Sequence, residues 1–546
     1  MSAVSDPRRQ AVWTTRAAAL TDSERLPLVV VAALTLLGLA IRIANFDQSL
    51  FGDEISTYFV VHDHSLGTVL HELRDNDLSS EISPPLFFIL AWLSAKVGSG
   101  AEWIRLPSLI AGTVSIPLVY LLGARTVGRA AGLVGAAVMT LAPFMVYYST
   151  EARAYALIVA LTAASALALV TAVREQRLKW WIVYAVCVCA SLYTHYTAIF
   201  PLAALFLWVL IAHRGVLVPF LLANLAALIG YAPWIPGMIA DNNAPATKIY
   251  NALAPFTWDA VRLALEQWTV GFPYVETNTL PGAVGWILIV AGVLGGLIIG
   301  GARLWRWLRS SSVSFGAALG RIPAGVLLIV LLALATPVGE AIYSAIGNNV
   351  LGARNLIASW AGLAVLIGLI VTSVRPPLNL ACTALVIAGF TIGAVKTLGS
   401  DMQRGDFGGV AGAIESQWSP GDVVVDAAPF TPVPLTGLDV YLPQSHPEYR
   451  LGLRQSKRVF GLNSPIPDPA AQAQQAYAQA RGHRIFLMTA PSHEAFASGR
   501  LTPELERNTR QAGVVLNSLP PGFRVTSTQT FPGLTPFVLF TIDGRG

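Results

Sequence analysis

Charged side chains are scarce in this chain: Asp, Glu, Lys and Arg make up 12% of its 546 residues. Soluble domains carry about 25%, so a soluble globular protein is excluded. Hydrophobic residues supply 54%, as in an integral membrane protein. Cysteine is nearly absent, with 3 residues. Cys187 and Cys189 share one apolar segment and Cys382 lies in another, which leaves neither a disulfide framework nor a zinc-ligand spacing. The polar C-terminal region has no cysteine, so cysteine usage says nothing of its compartment. The formal charge is +5, but its cations sit in short loops and form no stripe, which argues against a nucleic-acid partner. Neither a Walker loop nor a Rossmann glycine fingerprint is present, and this favours a lipid-linked over a nucleotide-linked substrate. No fixed-period repeat or extended low-complexity tract occurs.

What the chain has is apolar runs. Segments long enough to cross a bilayer, about 17–25 residues, fall at 26–44, 106–124, 130–148, 155–173, 180–195, 198–212, 216–234, 281–300, 323–344, 355–373 and 378–397. Leu86 to Ala95 is apolar but reaches only about 15 Å at 1.5 Å per residue, so it reads as an interfacial or re-entrant helix. The first 25 residues, with Arg8 and Arg9, read as a cytoplasmic segment, and the first run as a retained anchor with no cleavage site behind it. The loops Arg125–Arg129, Arg174–Lys179, His213-Arg214, Arg303–Arg309 and Arg375 then lie in the cytoplasm. Asp53, Glu54, Glu81, Glu151 and Asp241 lie opposite, as the positive-inside rule requires. An odd number of spans puts the C-terminus outside, in the plasma (inner) membrane of a bacterial-type cell.

From about Ser400 the chain turns polar. Val423–Val425, Arg484–Met488 and Phe537–Ile542 read as strands, Pro503–Leu516 as a helix, and about 427–480 as irregular. The expected fold is a polytopic α-helical membrane domain over 26–399, with a first outer loop at 45–105 and a C-terminal soluble α/β domain over 400–546.

Chemistry concentrates at the outer ends of the spans. Phe51-Gly52-Asp53-Glu54 follows the first run directly, placing two carboxylates at headgroup depth. Ionisable groups there are costly and mark chemistry or transport; a solvated acidic loop is the bland alternative. Further along come Glu81-Ile82-Ser83-Pro84-Pro85-Leu86 and Arg105-Leu106-Pro107-Ser108. Tyr147-Tyr148-Ser149-Thr150-Glu151-Ala152-Arg153-Ala154-Tyr155 and Tyr193-Thr194-His195-Tyr196 follow. Tyr231-Ala232-Pro233-Trp234 and Gly352-Ala353-Arg354-Asn355 complete the series.

In order and spacing this series resembles the GT-C superfamily of membrane glycosyltransferases over about 40–400. It is most like bacterial relatives of protein O-mannosyltransferases and of the lipid A aminoarabinose transferase. The resemblance implies a GT-C-like fold, a polyprenyl-phosphate sugar donor and inverting transfer to an acceptor hydroxyl on the outer face. The acceptor would be a glycan, lipid or protein of the cell envelope. It makes Asp53 the catalytic base, and the chemistry agrees: a hydroxyl is a poor nucleophile, and a positioned carboxylate is worth about 10²–10⁴-fold. Glu54 is expected as its catalytic companion, orienting Asp53, binding acceptor or raising the Asp53 pKa as a like charge; a solvated interface carboxylate is its alternative.

Glu81 and Ser83 stand where the family has an acid before a His-Pro-Pro or Lys-Pro-Pro element. They are expected to bind substrate, although Ser83 supplies no charge and Glu81 could equally be a carboxylate favoured at a helix N-terminus. Arg354 stands where the family has an Arg-Tyr pair, with Asn355 in place of the Tyr, and is expected on the donor phosphate; an interfacial snorkel is its alternative. Arg153, two residues from Glu151 and so able to pair with it, and His195 are the other phosphate candidates. Arg105 either joins them or caps the next span. Glu151, Tyr148 and Tyr196 are expected to line the substrate site; the tyrosines double as belt residues, and His195 as a packing histidine. No compact ligand set calls for a metal; His62-Asp63-His64 is the one stretch a divalent cation would take. Two rivals stand beside the enzyme: a polyprenyl-lipid or glycolipid flippase, although transporters show midplane sites and repeats, and a non-catalytic scaffold on the same fold.

Overall fold

The computed structural model describes residues 25–74, 81–244, 257–310, 322–346, 351–428, 437–451, 467–491 and 512–545. The segment with Arg8 and Arg9, and most of the helix expected at Pro503–Leu516, lie outside them.

Every apolar run forms helix. In chain order the membrane domain has α1 (Arg25–Ile43), α2 (Asp53–Val61), α3 (Leu66–Arg74), α4 (Leu86–Ser94), α5 (Leu106–Thr126), α6 (Arg129–Leu141), α7 (Pro143–Tyr148) and α8 (Tyr155–Glu175). It continues with α9 (Leu178–Leu192), α10 (Ile199–Ala212), α11 (Leu217–Tyr231), α12 (Ile235–Asn243), α13 (Trp258–Thr269), α14 (Ala283–Ser310), α15 (Ala324–Ala345), α16 (Trp360–Thr372) and α17 (Leu378–Lys396). Among the described residues 8 helical stretches are long and apolar enough to cross a membrane. Those at Arg129–Leu141, Leu178–Leu192 and Tyr196–Ala212 are apolar but shorter. Helix α4 has 9 residues and buries Phe87, Phe88 and Ala91.

Two prolines shape the bundle. The run expected to be continuous over 130–148 breaks at Ala142, where the backbone turns extended before Pro143. Proline lacks an N–H, so the Met139 carbonyl loses its helical donor. Arg42 replaces it, fully buried in α1: its Nη2 donates to Met139 O at 3.0 Å and its Nη1 to Gly38 O at 3.0 Å. An arginine inside a span is tolerated because backbone carbonyls satisfy it. In α15, beside Pro337, the Thr336 N–H donates to Ser359 Oγ at 2.9 Å and its hydroxyl to Leu356 O at 2.5 Å. Both acceptors belong to the 3₁₀ turn Ala353–Ser359, so the proline site fixes the turn that carries Arg354.

The C-terminal domain contains α18 (Phe407–Glu415), β1 (Val423–Asp426), α19 (Leu438–Tyr441), β2 (Glu448–Arg450), α20 (Pro469–Gln479), β3 (Arg484–Thr489), α21 (Ala512–Asn517), β4 (Arg524–Phe531) and β5 (Phe537–Asp543). Its five strands run in the order β2-β1-β3-β5-β4. β1 is parallel to β2 and β3, and β5 is antiparallel to β3 and β4. The region expected to be irregular, 427–480, instead holds β2 and α20; Pro469 opens α20 and Asp468 caps it, accepting from Ala471 N at 3.1 Å. One apolar cluster runs from Leu50, Ile55 and Phe87 through Phe407 to Phe486 and Phe537. The segment between α1 and α5 and the C-terminal domain therefore share a core.

Candidate active site

The site is built where α2 begins. Gly52 precedes Asp53 with φ 60 and ψ −127, a combination closed to side-chain-bearing residues. Nothing lies within 4 Å of where its Cβ would be, so the glycine serves the turn and not the packing. That turn leaves Asp53 on the first position of α2, with its side chain 37% exposed. Arg354 Nη1 donates to Asp53 Oδ2 at 2.6 Å. Burial alone would raise the Asp53 pKa; Arg354 and then Arg153 outweigh it and hold the carboxyl below its ordinary range.

Glu54, the next residue, has a different environment. It is fully buried, and Arg105 Nε and Nη2 donate to its two oxygens at 2.6 Å each. Ala152 N donates to Oε1 at 2.8 Å, and Arg404 Nε lies 3.2 Å from Oε2. Burial would raise its pKa, but Arg105 and Arg404 prevail and lower it. Both Glu54 oxygens are thus enclosed by these donors, the geometry of an anchor. Arg105 also donates to the carbonyls of Phe46, Gln48 and Ser49. It organises the turn leading to Asp53, which is more than capping a span.

A second buried pair stands behind α2. Arg153 Nη1 donates to Glu81 Oε1 and Oε2 at 3.0 and 2.9 Å, and Ser56 donates to the same carboxylate. The ion pair considered for Arg153 with Glu151 gives way to this one. The hydroxyl of Thr57 donates to Ala152 O at 3.0 Å, locking α2 to the 149–154 loop. Ser83 is half-buried between Glu81 and the two prolines.

Glu151 is buried, and its Oε2 has no hydrogen-bond partner among the described residues. Burial, followed by the charges of Glu54 and Asp53, pushes its pKa up to about 8. Beside it, Tyr148 is fully buried, edge-on to Phe144 and Tyr155 with ring centroids 4.8 Å apart in each case. His195 Nδ1 accepts from Thr197 N at 3.2 Å. Burial, with Arg153 and Arg354 adding to it, lowers the His195 pKa to about 4. The imidazole is therefore neutral, with Nε2 carrying its proton. The Tyr196 hydroxyl donates to Asp241 and accepts from Trp234 Nε1 at 3.4 Å. His62 and Asp63 pair with each other at 2.9 Å on the surface. Among the described residues no group of three or more His, Cys, Asp or Glu could hold a metal.

Two side chains of the site were not anticipated. Arg404 is buried, lies 4.4 Å from the centroid of the Tyr147 ring and meets Glu54. Its signal was present: it stands among the polar residues that follow the last apolar run. Tyr274 hydrogen-bonds Arg354, packs edge-on near Tyr147 and holds φ 67. A tyrosine in that conformation is strained, and such strain gathers at functional sites; nothing in its local sequence announces it. Four guanidiniums (Arg105, Arg153, Arg354, Arg404) and three carboxylates (Asp53, Glu54, Glu81) pair in one cluster at one end of the apolar bundle.

The family described as dolichyl-phosphate-mannose-protein mannosyltransferase matches residues 83–236. No curated protein matches the chain. Among solved structures, ArnT from Cupriavidus metallidurans bound to undecaprenyl phosphate is similar at 13% identity and a TM-score of 0.52, over 94% of this chain and 97% of that one. The oligosaccharyltransferase of Archaeoglobus fulgidus, tethered with an acceptor peptide containing the NVT sequon, is similar at 10% identity and a TM-score of 0.50. That likeness covers 91% of this chain and 72% of the other. At these identities the likeness is one of fold.

Proposed function

We propose that this chain, which has the GT-C fold of membrane glycosyltransferases, moves a sugar with inversion from a polyprenyl-phosphate donor to an acceptor hydroxyl at the outer membrane face. The domain limits expected from the sequence, 26–399 and 400–546, and an extracytoplasmic soluble domain belong to the same proposal. The observation that carries it is the Asp53–Arg354 pair: a base and an anion ligand, 2.6 Å apart and partly open. The undecaprenyl phosphate held by the similar ArnT structure supports a donor of that class.

In this reading the donor phosphate draws Arg354 off Asp53. The exchange has two effects. The guanidinium meets the charge that grows on the leaving phosphate, a large catalytic term in a water-poor site. Asp53, released from its partner, regains basicity when the acceptor needs it. The acceptor oxygen attacks the anomeric carbon as its proton passes to Asp53. The bond from that carbon to the phosphate oxygen breaks, and its electrons leave with the phosphate. One displacement inverts the anomeric centre.

Arg153 stays on Glu81 and contributes its field. His195 donates one neutral hydrogen bond, and Glu151 donates another to a sugar hydroxyl or a phosphate oxygen. Tyr148 forms the floor, while Glu54 holds Arg105 and Arg404 so that the turn at Gly52 stays in place. Glu81, Ser83 and Tyr196 act on the shape of the site more than on the substrate. The test is sugar transfer in membranes from a radiolabelled polyprenyl-phosphate donor, with Asp53→Asn as the comparison.

A further inference from the structure

Tyr274 is 62% exposed, whereas the other tyrosines of the site, Tyr147, Tyr148 and Tyr155, are buried. A single exposed ring on a protein surface is ordinary, but three features set this one apart. Its backbone holds φ 67, which a bulky residue adopts only under constraint. The constraint is built into the turn. Phe272 is buried, meets the Tyr147 ring edge-on at 5.0 Å and bridges to Val275. Gln267 Nε2 donates to Val275 O at 3.2 Å. Gln267 belongs to α13, which is tied to α16 by the bond from Trp360 Nε1 to Trp268 O at 2.7 Å. The chain is therefore fixed on both sides of Tyr274.

The second feature is the hydroxyl. It hydrogen-bonds Arg354, and because a guanidinium has no acceptor, the phenol oxygen accepts. The ring also meets Tyr147 edge-on, with centroids 6.3 Å apart. The third feature is its surroundings. Burial raises the hydroxyl's pKa to about 12, although the side chain is largely open to solvent. Both hold for a side chain on the wall of a cleft, with protein around it and free space against it. A ring pinned at its backbone and at its hydroxyl, and left open between them, is a platform.

Its occupant follows from where the hydroxyl sits. With Arg354 on the donor phosphate, the transferred sugar is one bond from that phosphate and lies beside the guanidinium that Tyr274 bonds. A sugar ring carries patches of C–H bonds between its hydroxyls. Such a patch gains by leaving water for an aromatic face, and the hydroxyls stay available to polar groups such as Glu151 and His195.

We propose that Tyr274 is the platform for the transferred sugar, stacking against a C–H face of its ring and so helping to select which sugar is moved. The proposal rests on the glycosyltransferase reading.

The test uses the full-length protein in membranes. Initial rates give the half-saturating concentration of a radiolabelled polyprenyl-phosphate sugar. Inhibition by polyprenyl phosphate without a sugar reports the part of the donor that the platform does not touch. The native chain is compared with Tyr274→Ala and Tyr274→Phe. Tyr274→Ala should raise donor half-saturation about tenfold and leave inhibition by the sugar-free lipid unchanged. Tyr274→Phe keeps the ring and should stay close to native in both. A loss in Tyr274→Phe equal to that in Tyr274→Ala would overturn the platform and leave only the hydroxyl's hold on Arg354. So would native half-saturation in Tyr274→Ala, or a variant that weakens donor and sugar-free lipid alike. Each of these outcomes leaves the enzyme reading intact. Absence of donor consumption by the native chain would overturn both.

Discussion

Replacing Glu54 by Gln separates an anchoring carboxylate from a catalytic one. Glu54 is fully buried, and its two oxygens take Arg105 at 2.6 Å twice, Arg404 at 3.2 Å and the Ala152 N–H at 2.8 Å. The amide would keep the shape but turn a neutral NH₂ towards guanidinium donors, leaving two buried cations without a counter-charge. Breaking a buried pair from one side costs about 3–5 kcal/mol, a large part of the roughly 5–15 kcal/mol that holds a typical fold. Arg105 keeps three carbonyl acceptors, so the loss falls at the lower end, about 3 kcal/mol. The assay is denaturant unfolding in detergent followed by tryptophan fluorescence, on Glu54→Gln, Arg105→Gln and the double variant. The double variant should lose clearly less than the sum of the singles, because the second change removes a cation the first had stranded. The same pairs hold the Glu54 carboxyl below its ordinary 4.5. This stabilisation is therefore complete above that pH and is lost as the pH falls through the native value. A Glu54→Gln protein with native stability but no transfer would refute the anchor and restore the catalytic expectation.

Other consequences can be checked alongside. Glu151, with a pKa of about 8, donates a hydrogen bond only while protonated, so transfer should decline as the pH rises through about 8 and Glu151→Gln should erase that limb of the profile. The raised pKa also means that any stability tied to neutral Glu151 is full below 4.5 and lost through about 8. Gly52→Ala forces a side chain into φ 60 at a cost of about 1–3 kcal/mol; transfer should fall sharply while the helices remain, by circular dichroism. Arg354→Lys keeps the charge but not the planar fork. Donor half-saturation should rise about tenfold with Lys and further with Ala, read from initial rates against donor concentration.

The membrane domain was legible because its signal is local. Each span is a run of apolar residues, and Asp53 and Arg354 stand at the ends of such runs, where charge is conspicuous. The strands β1, β3 and β5 were legible for the same reason, being buried along nearly their whole length. β4, exposed at most positions, and β2, three residues long, carry no apolar pattern to read. The fate of the carboxylates was not legible. Glu54 and Arg105 are 51 residues apart, and Glu81 and Arg153 are 72 apart; no periodicity reports pairs that only the packed bundle brings together. An acidic residue beside Asp53 therefore looked like chemistry, although the fold encloses it with Arg105 and Arg404. Tyr274 was equally hidden: it stands between α13 and α14 with φ 67, an angle its residue type does not announce.

The central claim is that Asp53 is the base of a sugar transfer from a polyprenyl phosphate. Its most direct test is the initial rate of transfer in membranes from the radiolabelled donor, native chain against Asp53→Asn, at equal protein level. The rate should fall about 10²–10⁴-fold with donor binding retained or tightened, because Arg354 no longer has a carboxylate to leave. Transfer at the native rate by Asp53→Asn would contradict the account.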